Sequence, residues 1–218
     1  MRVTKVVVAD DHPIAREGLR SVIQNNDRDF RVVLEASNGR DVIRFAERNR
    51  ADIYILDISM PLMNGIETTK ALMKMDPRSR IIILSFHDER RYIERALIAG
   101  ARGYLLKESA VKEILVALNE VLRDKFYLSP AISKYVVDGF LGRAGRPDRM
   151  SVDPALTPRE REVLQLIGEG QSDKQIAELL CISSCTVHQH RKNIMHKLDM
   201  HKQAELIRYA IKEGISKL

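Results

Sequence analysis

The sequence predicts an α/β domain with a five-stranded, doubly wound parallel sheet, followed by a smaller all-α domain of four helices. In residues 1–121, short apolar runs alternate with segments whose apolar residues recur every three or four positions. From residue 151 onward only the helical spacing remains. Regular alternation of strands and helices is typical of a parallel sheet with helices on both faces, and this is the basis for the first assignment.

Five apolar runs are too short for helices and are the predicted strands, and each is followed by an amphipathic segment. The strands are Lys5–Ala9, Phe30–Glu35, Asp52–Leu56, Ile81–Leu84 and Gly103–Leu106. The helices are about Ile14–Gln24, Arg40–Arg48, Gly65–Met75, Glu89–Ala99 and Ala110–Leu122. The third run lacks polar alternation, which predicts a strand buried in the centre of the sheet.

Residues 123–150 are the predicted connection between the domains. Pro130–Phe140 has apolar residues at helical spacing, which predicts a short amphipathic helix. Glycine, arginine and proline then dominate residues 139–149, a composition typical of a flexible tether. We therefore predict domains at residues 1–122 and 151–218, joined by a linker over 123–150.

The second domain opens with a strong helix start. Thr157 is the predicted N-cap, Pro158 stands at the first helical position and Glu160 completes a capping box. This helix extends to about Gly168–Gly170. Three more helices follow: one capped by Ser172 and ending near Cys181, one after Ile182-Ser183, and one from Gln203 to about Glu213. Two short helices joined by a tight turn predict a helix-turn-helix, which lays one helix in the DNA major groove.

Composition limits the class of protein and the compartment in which it is expected. The chain has 218 residues, of which 44% are hydrophobic and 30% charged, as in an ordinary soluble globular protein. The apolar runs are too short to span a bilayer, and the amino terminus does not resemble a signal peptide. Only two cysteines are present, Cys181 and Cys185, four positions apart in a helical pattern. We therefore expect a cytoplasmic protein. The net charge of +6 is spread along the chain and does not identify a nucleic-acid-binding region.

Polar residues follow the predicted strands of the first domain. Asp10 and Asp11 end the first strand, Asp57 the third and Ser85 the fourth, while Lys107 follows the fifth. The carboxyl ends of parallel strands meet at one edge, where ligands of such sheets bind. Carboxylates brought together repel each other unless a cation joins them, and magnesium (Mg²⁺) prefers oxygen ligands. This set predicts a site that holds a phosphoryl group on Asp57.

Residues 1–121 resemble the receiver domain of bacterial two-component response regulators, which has a flavodoxin-like fold. The resemblance implies that Asp57 accepts a phosphoryl group from a sensor histidine kinase. It also implies that Asp10, Asp11 and Asp57 bind Mg²⁺ together with the backbone carbonyl of Ser59.

The same resemblance implies three further roles. Ser85 matches the hydroxyl residue that moves toward the phosphoryl group, Tyr104 the aromatic residue that swings inward behind it, and Lys107 the cation of the site. Phe86 departs from the pattern, because receivers usually carry a small residue there. We expect its ring to crowd Asp57 and to slow labelling by small phosphodonors such as acetyl phosphate. The alternative is that Phe86 turns away into packing.

The second domain carries the motif Leu156-Thr-Pro-Arg-Glu-Arg-Glu-Val-Leu, followed by Ile176-Ala, Thr186-Val187, His190 and Lys197-Leu198. This pattern closely resembles the LuxR-type DNA-binding domain. A receiver joined to this domain is the layout of NarL/FixJ response regulators. The resemblance implies DNA contacts from Lys174, Thr186, His188, Gln189 and Lys192.

We therefore expect a transcription factor in which phosphorylation of Asp57 controls homodimerisation and sequence-specific binding of double-stranded DNA. It is not expected to be an enzyme beyond assisting its own phosphoryl transfer and dephosphorylation. One alternative is a DNA-binding regulator whose receiver is a phosphorylation-independent interaction module. A second alternative is a Mg²⁺-dependent aspartyl phosphohydrolase. Such enzymes of the haloacid dehalogenase type carry a second acid at the place of Ser59, which weakens this reading.

Overall fold

The computed structural model describes residues 3–26, 29–133 and 156–216. The chain divides into two compact units. The first contains a β-sheet with helices on both faces. The second contains four helices within its described residues 156–216.

The first unit is built on a six-stranded sheet in the order β2-β1-β3-β4-β5-β6. Its strands are β1 (Thr4–Ala9), β2 (Phe30–Ala36), β3 (Ile53–Asp57), β4 (Arg80–Ser85), β5 (Gly103–Leu106) and β6 (Tyr127–Leu128). Every neighbouring pair is parallel. The predicted doubly wound parallel fold is confirmed, and all residues of β3 are buried, as expected for a central strand.

The sixth strand is the difference from the prediction of five strands. β6 pairs with β5 through Gly103 opposite Tyr127 and Tyr104 opposite Leu128. Two residues are too few to show a strand periodicity, so only the neighbouring strand reveals this pairing. Tyr127 and Leu128, which lie in the predicted linker, therefore form the outermost strand of the sheet.

Among the described residues of the first unit, five helices cover the sheet, and their bounds lie close to the predicted ones. They are α1 (Pro13–Asn26), α2 (Gly39–Ala46), α3 (Gly65–Met75), α4 (Arg90–Ala99) and α5 (Ala110–Leu122). Asn38 and Asn64 cap α2 and α3 through side-chain oxygens, and α4 ends at Gly100 in the left-handed conformation. One apolar cluster contains side chains of the strands and of α2, α3 and α4, and another contains side chains of the strands and of α1 and α5. Each strand therefore contributes side chains to two cores.

A further helical turn follows β6. Residues 130–133 are helical, and Ile132 is fully buried in the apolar cluster that contains Tyr104. Pro130 suits the first helical position because it lacks the N–H that would have no partner there. The remainder of the predicted helix Pro130–Phe140 lies outside the described residues. The domain limits at residues 122 and 151 stay predictions.

The second unit consists of α6 (Pro158–Gly168), α7 (Asp173–Leu180), α8 (Ser184–Leu198) and α9 (Gln203–Lys212). Capping boxes begin α6 and α7, as predicted for the first of them. Cys181, in the left-handed conformation, ends α7, and Ser183 caps α8 two residues later. Apolar side chains from all four helices form one core. The tight turn between α7 and α8 is the predicted helix-turn-helix arrangement.

Candidate phosphoacceptor site and nucleic-acid interface

Four buried polar residues meet at the carboxyl edge of the sheet. Asp10 follows β1, Asp57 and Ser85 end β3 and β4, and Lys107 follows β5, because parallel strands direct their carboxyl ends to the same edge. Asp10, Asp57 and Ser85 are at most 2% exposed. The Nζ atom of Lys107 lies 2.6 Å from Asp10 Oδ2 and 2.8 Å from Asp57 Oδ2. One ammonium group is therefore shared by two buried carboxylates.

The single ammonium group of this cluster does not balance the charges of both Asp57 and Asp10. Burial raises the pKa of Asp57 above its usual range, the charge of Asp10 adds to this effect, and the Lys107 ammonium opposes it. Asp10 Oδ2 and Asp57 Oδ2 meet no other hydrogen-bond donor among the described residues. The buried trio of Asp10, Asp57 and Lys107 sets two carboxylates against one ammonium group, and this balance favours a further cation.

Asp11 and His12 form the rim of the site. The Nδ1 atom of His12 lies 2.8 Å from Asp11 Oδ1 and 3.1 Å from Asp10 Oδ1. Candidate ligand atoms of Asp10, Asp11, His12 and Asp57 all lie within 4.8 Å of one another. The amide of Ser59 donates a hydrogen bond to Asp57 Oδ1 at 3.2 Å, which folds the loop back over the acid. His12 was not identified from the sequence, and its only signal there is its position directly after the aspartate pair.

The two predicted switch residues share a loop partner. The Ser85 hydroxyl accepts a hydrogen bond from the His87 amide at 2.9 Å, and the Tyr104 hydroxyl donates to the His87 carbonyl at 2.7 Å. Tyr104 is fully buried, and burial raises the pKa of its hydroxyl. The His87 ring stacks on Tyr92 with centroids 4.1 Å apart. The backbone of residue 87 thus links Ser85 to Tyr104.

Phe86 lies over the site rather than in the core. Its side chain is 65% exposed, and Lys107 Nζ is 5.1 Å from the centroid of its ring. The His12 ring meets it edge-on at 6.4 Å. The alternative that Phe86 turns into packing is therefore wrong. The expected crowding agrees with the geometry, while its effect on labelling stays a prediction.

All five predicted DNA-contacting side chains are exposed. Thr186, His188, Gln189 and Lys192 lie on α8, whose buried residues Val187 and Ile194 face the core, and Lys174 lies on the first turn of α7.

Two basic residues of α8 are instead paired within the unit. Arg191 contacts Asp173, and Lys197 Nζ lies 2.7 Å from the buried Glu160. No ion pair is present at Lys174 or Lys192 in the part of the chain that the structure describes. Their charges face outward, as phosphate contacts require.

Fold and site together define a receiver-type phosphoacceptor domain joined to a helix-turn-helix domain. Residues 6–119 match the family model described as the response regulator receiver domain, and residues 154–210 match the bacterial regulatory proteins of the luxR family. The chain belongs to the response regulators that combine a receiver with a LuxR-type helix-turn-helix domain.

Known proteins of similar layout match nearly the whole chain. The oxygen regulatory protein NreC of Staphylococcus carnosus is 34% identical over 214 residues, which cover 97% of this chain and 98% of NreC. The transcriptional regulatory protein MctR of Rhizobium johnstonii is 36% identical over 211 residues, covering 97% of this chain and 94% of MctR. RcsB from Salmonella enterica, solved bound to a promoter in the presence of the phosphomimetic BeF₃⁻, has a TM-score of 0.60 at 26% identity and covers 98% of this chain and 99% of its own.

Among the described residues, none of the helices combines the length and apolarity that crossing a membrane requires.

Proposed function

We propose that this response regulator accepts a phosphoryl group on Asp57 from a sensor histidine kinase and thereby controls transcription. The observation that carries the proposal is the Lys107 ammonium shared between Asp10 and Asp57 in a buried site. A buried carboxylate with one adjacent cation is poised to act as a nucleophile. Its oxygen forms a bond to phosphorus while the bond from phosphorus to the kinase histidine breaks, and the electron pair returns to that imidazole.

Mg²⁺ is the cofactor that fits these donors. Asp10, Asp11, Asp57 and the backbone carbonyl of Ser59 would hold it, since hard oxygen donors suit this ion. The fit is supported by the buried oxygens of Asp10 and Asp57, which share a single ammonium group. Bound there, Mg²⁺ supplies positive charge to the oxygens of the transferring group.

The chain's own residues perform the rest of the response. Lys107 neutralises an oxygen of the phosphoryl group once Asp57 carries it. The Ser85 hydroxyl, which now accepts from the His87 amide, turns to donate to that group. Tyr104, held inward by the His87 carbonyl, fills the space behind this loop. We propose no catalysis on other substrates, only assistance to the domain's own phosphoryl transfer and dephosphorylation.

We further propose that the phosphorylated chain forms a homodimer on double-stranded DNA in the cytoplasm. Helix α8 enters the major groove, where His188, Gln189 and Lys192 meet base edges or phosphates. Lys174 and Thr186 contact the backbone. Support comes from the exposure of these side chains and from solved structures of the related protein RcsB, which include a DNA complex and two dimers bound to two parallel DNAs.

DNA affinity tests both parts of this proposal. Operators are selected from a random DNA pool with the unaltered protein, and binding is measured with Mg²⁺ in the presence and absence of BeF₃⁻. We expect BeF₃⁻ to tighten binding at least about fivefold, the lower end of ordinary coupling between sites. Asp57→Asn should abolish the response, while the surface control Asp76→Asn should keep it. Equal affinity with and without BeF₃⁻ would contradict phosphorylation control.

That contradictory outcome would support the second candidate, a DNA-binding regulator whose receiver is a phosphorylation-independent interaction module. The position of Phe86 over Lys107 favours this candidate, because we expect a ring there to restrict access to Asp57.

A further inference from the structure

In chain order, the short strand β6 comes after the residues of the candidate site and before the segment that leads to the second unit. β6 pairs with β5, the strand that carries Tyr104 and ends beside Lys107. The residue directly after β6 is Ser129, which is fully buried. A buried hydroxyl must be hydrogen-bonded to offset its desolvation, so its partners indicate its role.

The Ser129 hydroxyl accepts a hydrogen bond that a backbone carbonyl would accept if β6 continued. The Ser129 amide donates to the Tyr104 carbonyl at 3.0 Å, as a parallel ladder requires. The chain then turns into a helix at Pro130. The Leu106 amide donates to Ser129 Oγ at 3.2 Å, so a side chain is the next acceptor of the ladder. Leu106 directly precedes Lys107.

Glu113 on α5 fixes the orientation of this hydroxyl. Ser129 Oγ donates to Glu113 Oε2 at 2.6 Å, and the Tyr127 hydroxyl lies 3.3 Å from the same oxygen. With its proton directed to Glu113, the Ser129 oxygen presents its lone pairs to the Leu106 amide. The Ser129 carbonyl accepts from the Ile132 amide at 2.9 Å. One residue therefore joins the end of β5, helix α5 and the first turn of the following helix.

We propose that Ser129 is a positioning residue that transmits the phosphorylation state of Asp57 to residues 127–133. This inference rests on the proposed function. Lys107 now divides its ammonium between Asp10 and Asp57, and phosphoryl oxygens on Asp57 redistribute these contacts. The end of β5 adjusts with Lys107. The hydrogen bond from Leu106 then moves Ser129, and Ile132 moves with it.

Hydrogen exchange on the full-length chain tests this coupling, with Mg²⁺ and BeF₃⁻ as the probe. Peptides covering residues 81–90 report binding at the site, and peptides covering 127–133 report transmission. We expect BeF₃⁻ to change the exchange rates of both regions in the unaltered protein, the second by at least about fivefold. Ser129→Ala should retain the response of residues 81–90, with BeF₃⁻ affinity within about twofold, and lose that of 127–133.

Two further variants separate coupling from mere stabilisation. Ser129→Thr keeps the hydroxyl and should restore the response. Ser133→Ala removes a neighbouring hydroxyl, which donates to the Ser129 carbonyl at 3.3 Å, and should leave the response intact. Should Ser129→Ala fail to fold, Glu113→Ala removes the acceptor of the Ser129 proton instead and is expected to uncouple the two regions.

The outcomes are distinct. A response of residues 127–133 that persists in Ser129→Ala, or in Glu113→Ala where that variant replaces it, overturns the inference. So does a response confined to residues 81–90 in the unaltered protein, which leaves the proposed function standing. No response in either region contradicts the proposed function, and the inference falls with it.

Discussion

Removal of the Phe86 ring should speed phosphorylation of Asp57 by small donors. The ring lies 5.1 Å from the Lys107 ammonium and Asp57 is 2% exposed, so we expect the ring to hinder the approach of a donor to the acid. Phe86→Ala removes this cover. Lys107 should keep its place, because its 2.6 Å contact with Asp10 does not involve the ring.

The expected magnitude follows from the contact that must break. A cation–π contact contributes about 0.5–1 kcal/mol when exposed and about 2 kcal/mol when desolvated. Phe86 is 65% exposed whereas the Lys107 side chain is only 6% exposed, which places this contact between the two limits. A value of about 1 kcal/mol corresponds to a rate change of about fivefold.

The assay is the rate of acyl-phosphate formation with acetyl phosphate and Mg²⁺, followed by intact mass. Phe86→Ala should label about five times faster than the unaltered protein. Phe126→Ala is the matched control, since Phe126 is 68% exposed and directly precedes β6, toward the opposite edge of the sheet. Phe86→Leu keeps bulk without an aromatic face. It should label slowly if steric cover dominates and rapidly if the cation–π contact does.

An unchanged rate in Phe86→Ala would refute this reasoning. Labelling would then be limited by the chemistry at Asp57, and the ring would be an exposed side chain without influence on access. A decrease in rate would also refute it, because the ring would then be holding Lys107 in a productive position.

The remaining predictions concern stability and DNA recognition. Burial raises the pKa of Asp57 in the folded protein. The free energy of unfolding of the first unit should therefore decrease as pH rises above about 4 and this carboxyl ionises. Asp57→Asn should therefore raise the melting temperature of the first unit at pH 7 by about 3–6 °C, on the order of 1 kcal/mol, and the gain should vanish toward pH 4. Burial would raise the pKa of Glu160, but hydrogen bonds from Lys197 and the helix start outweigh it and lower the pKa. Glu160→Gln should destabilise the second unit at pH 7 by about 2 kcal/mol, measured by urea unfolding, and the loss should shrink as pH falls below about 4.5. Titrations of DNA binding against salt should separate two residues of α8: Lys192→Ala lowers the slope by about one, whereas Gln189→Ala keeps the slope and weakens discrimination between bases.

Much of the fold and the site follows from local sequence pattern. Asp10, Asp57 and Ser85 could be placed at one edge because the topology of a parallel sheet determines where strands end. Other features depend on contacts between distant segments. Glu160 is recognisable as part of a capping box, but its ion pair with Lys197 joins residues 37 positions apart. The direction of Phe86 depends on where the Lys107 ammonium lies, and a local pattern does not contain that information.

The sixth strand has the greatest consequence among the features that the pattern did not reveal. The two residues of β6 extend the sheet by one strand. Ser129 follows β6 directly, and its hydroxyl accepts a hydrogen bond from the amide of Leu106, the residue before Lys107. The same strand β5 carries Tyr104 and is followed directly by Lys107, and its outer neighbour is β6. A change of charge at Asp57 that alters the contacts of Lys107 therefore acts on a backbone already hydrogen-bonded to the next part of the chain. In the proposed coupling, Ser129 is therefore the position where the response of residues 127–133 can be interrupted without changing a residue of the site.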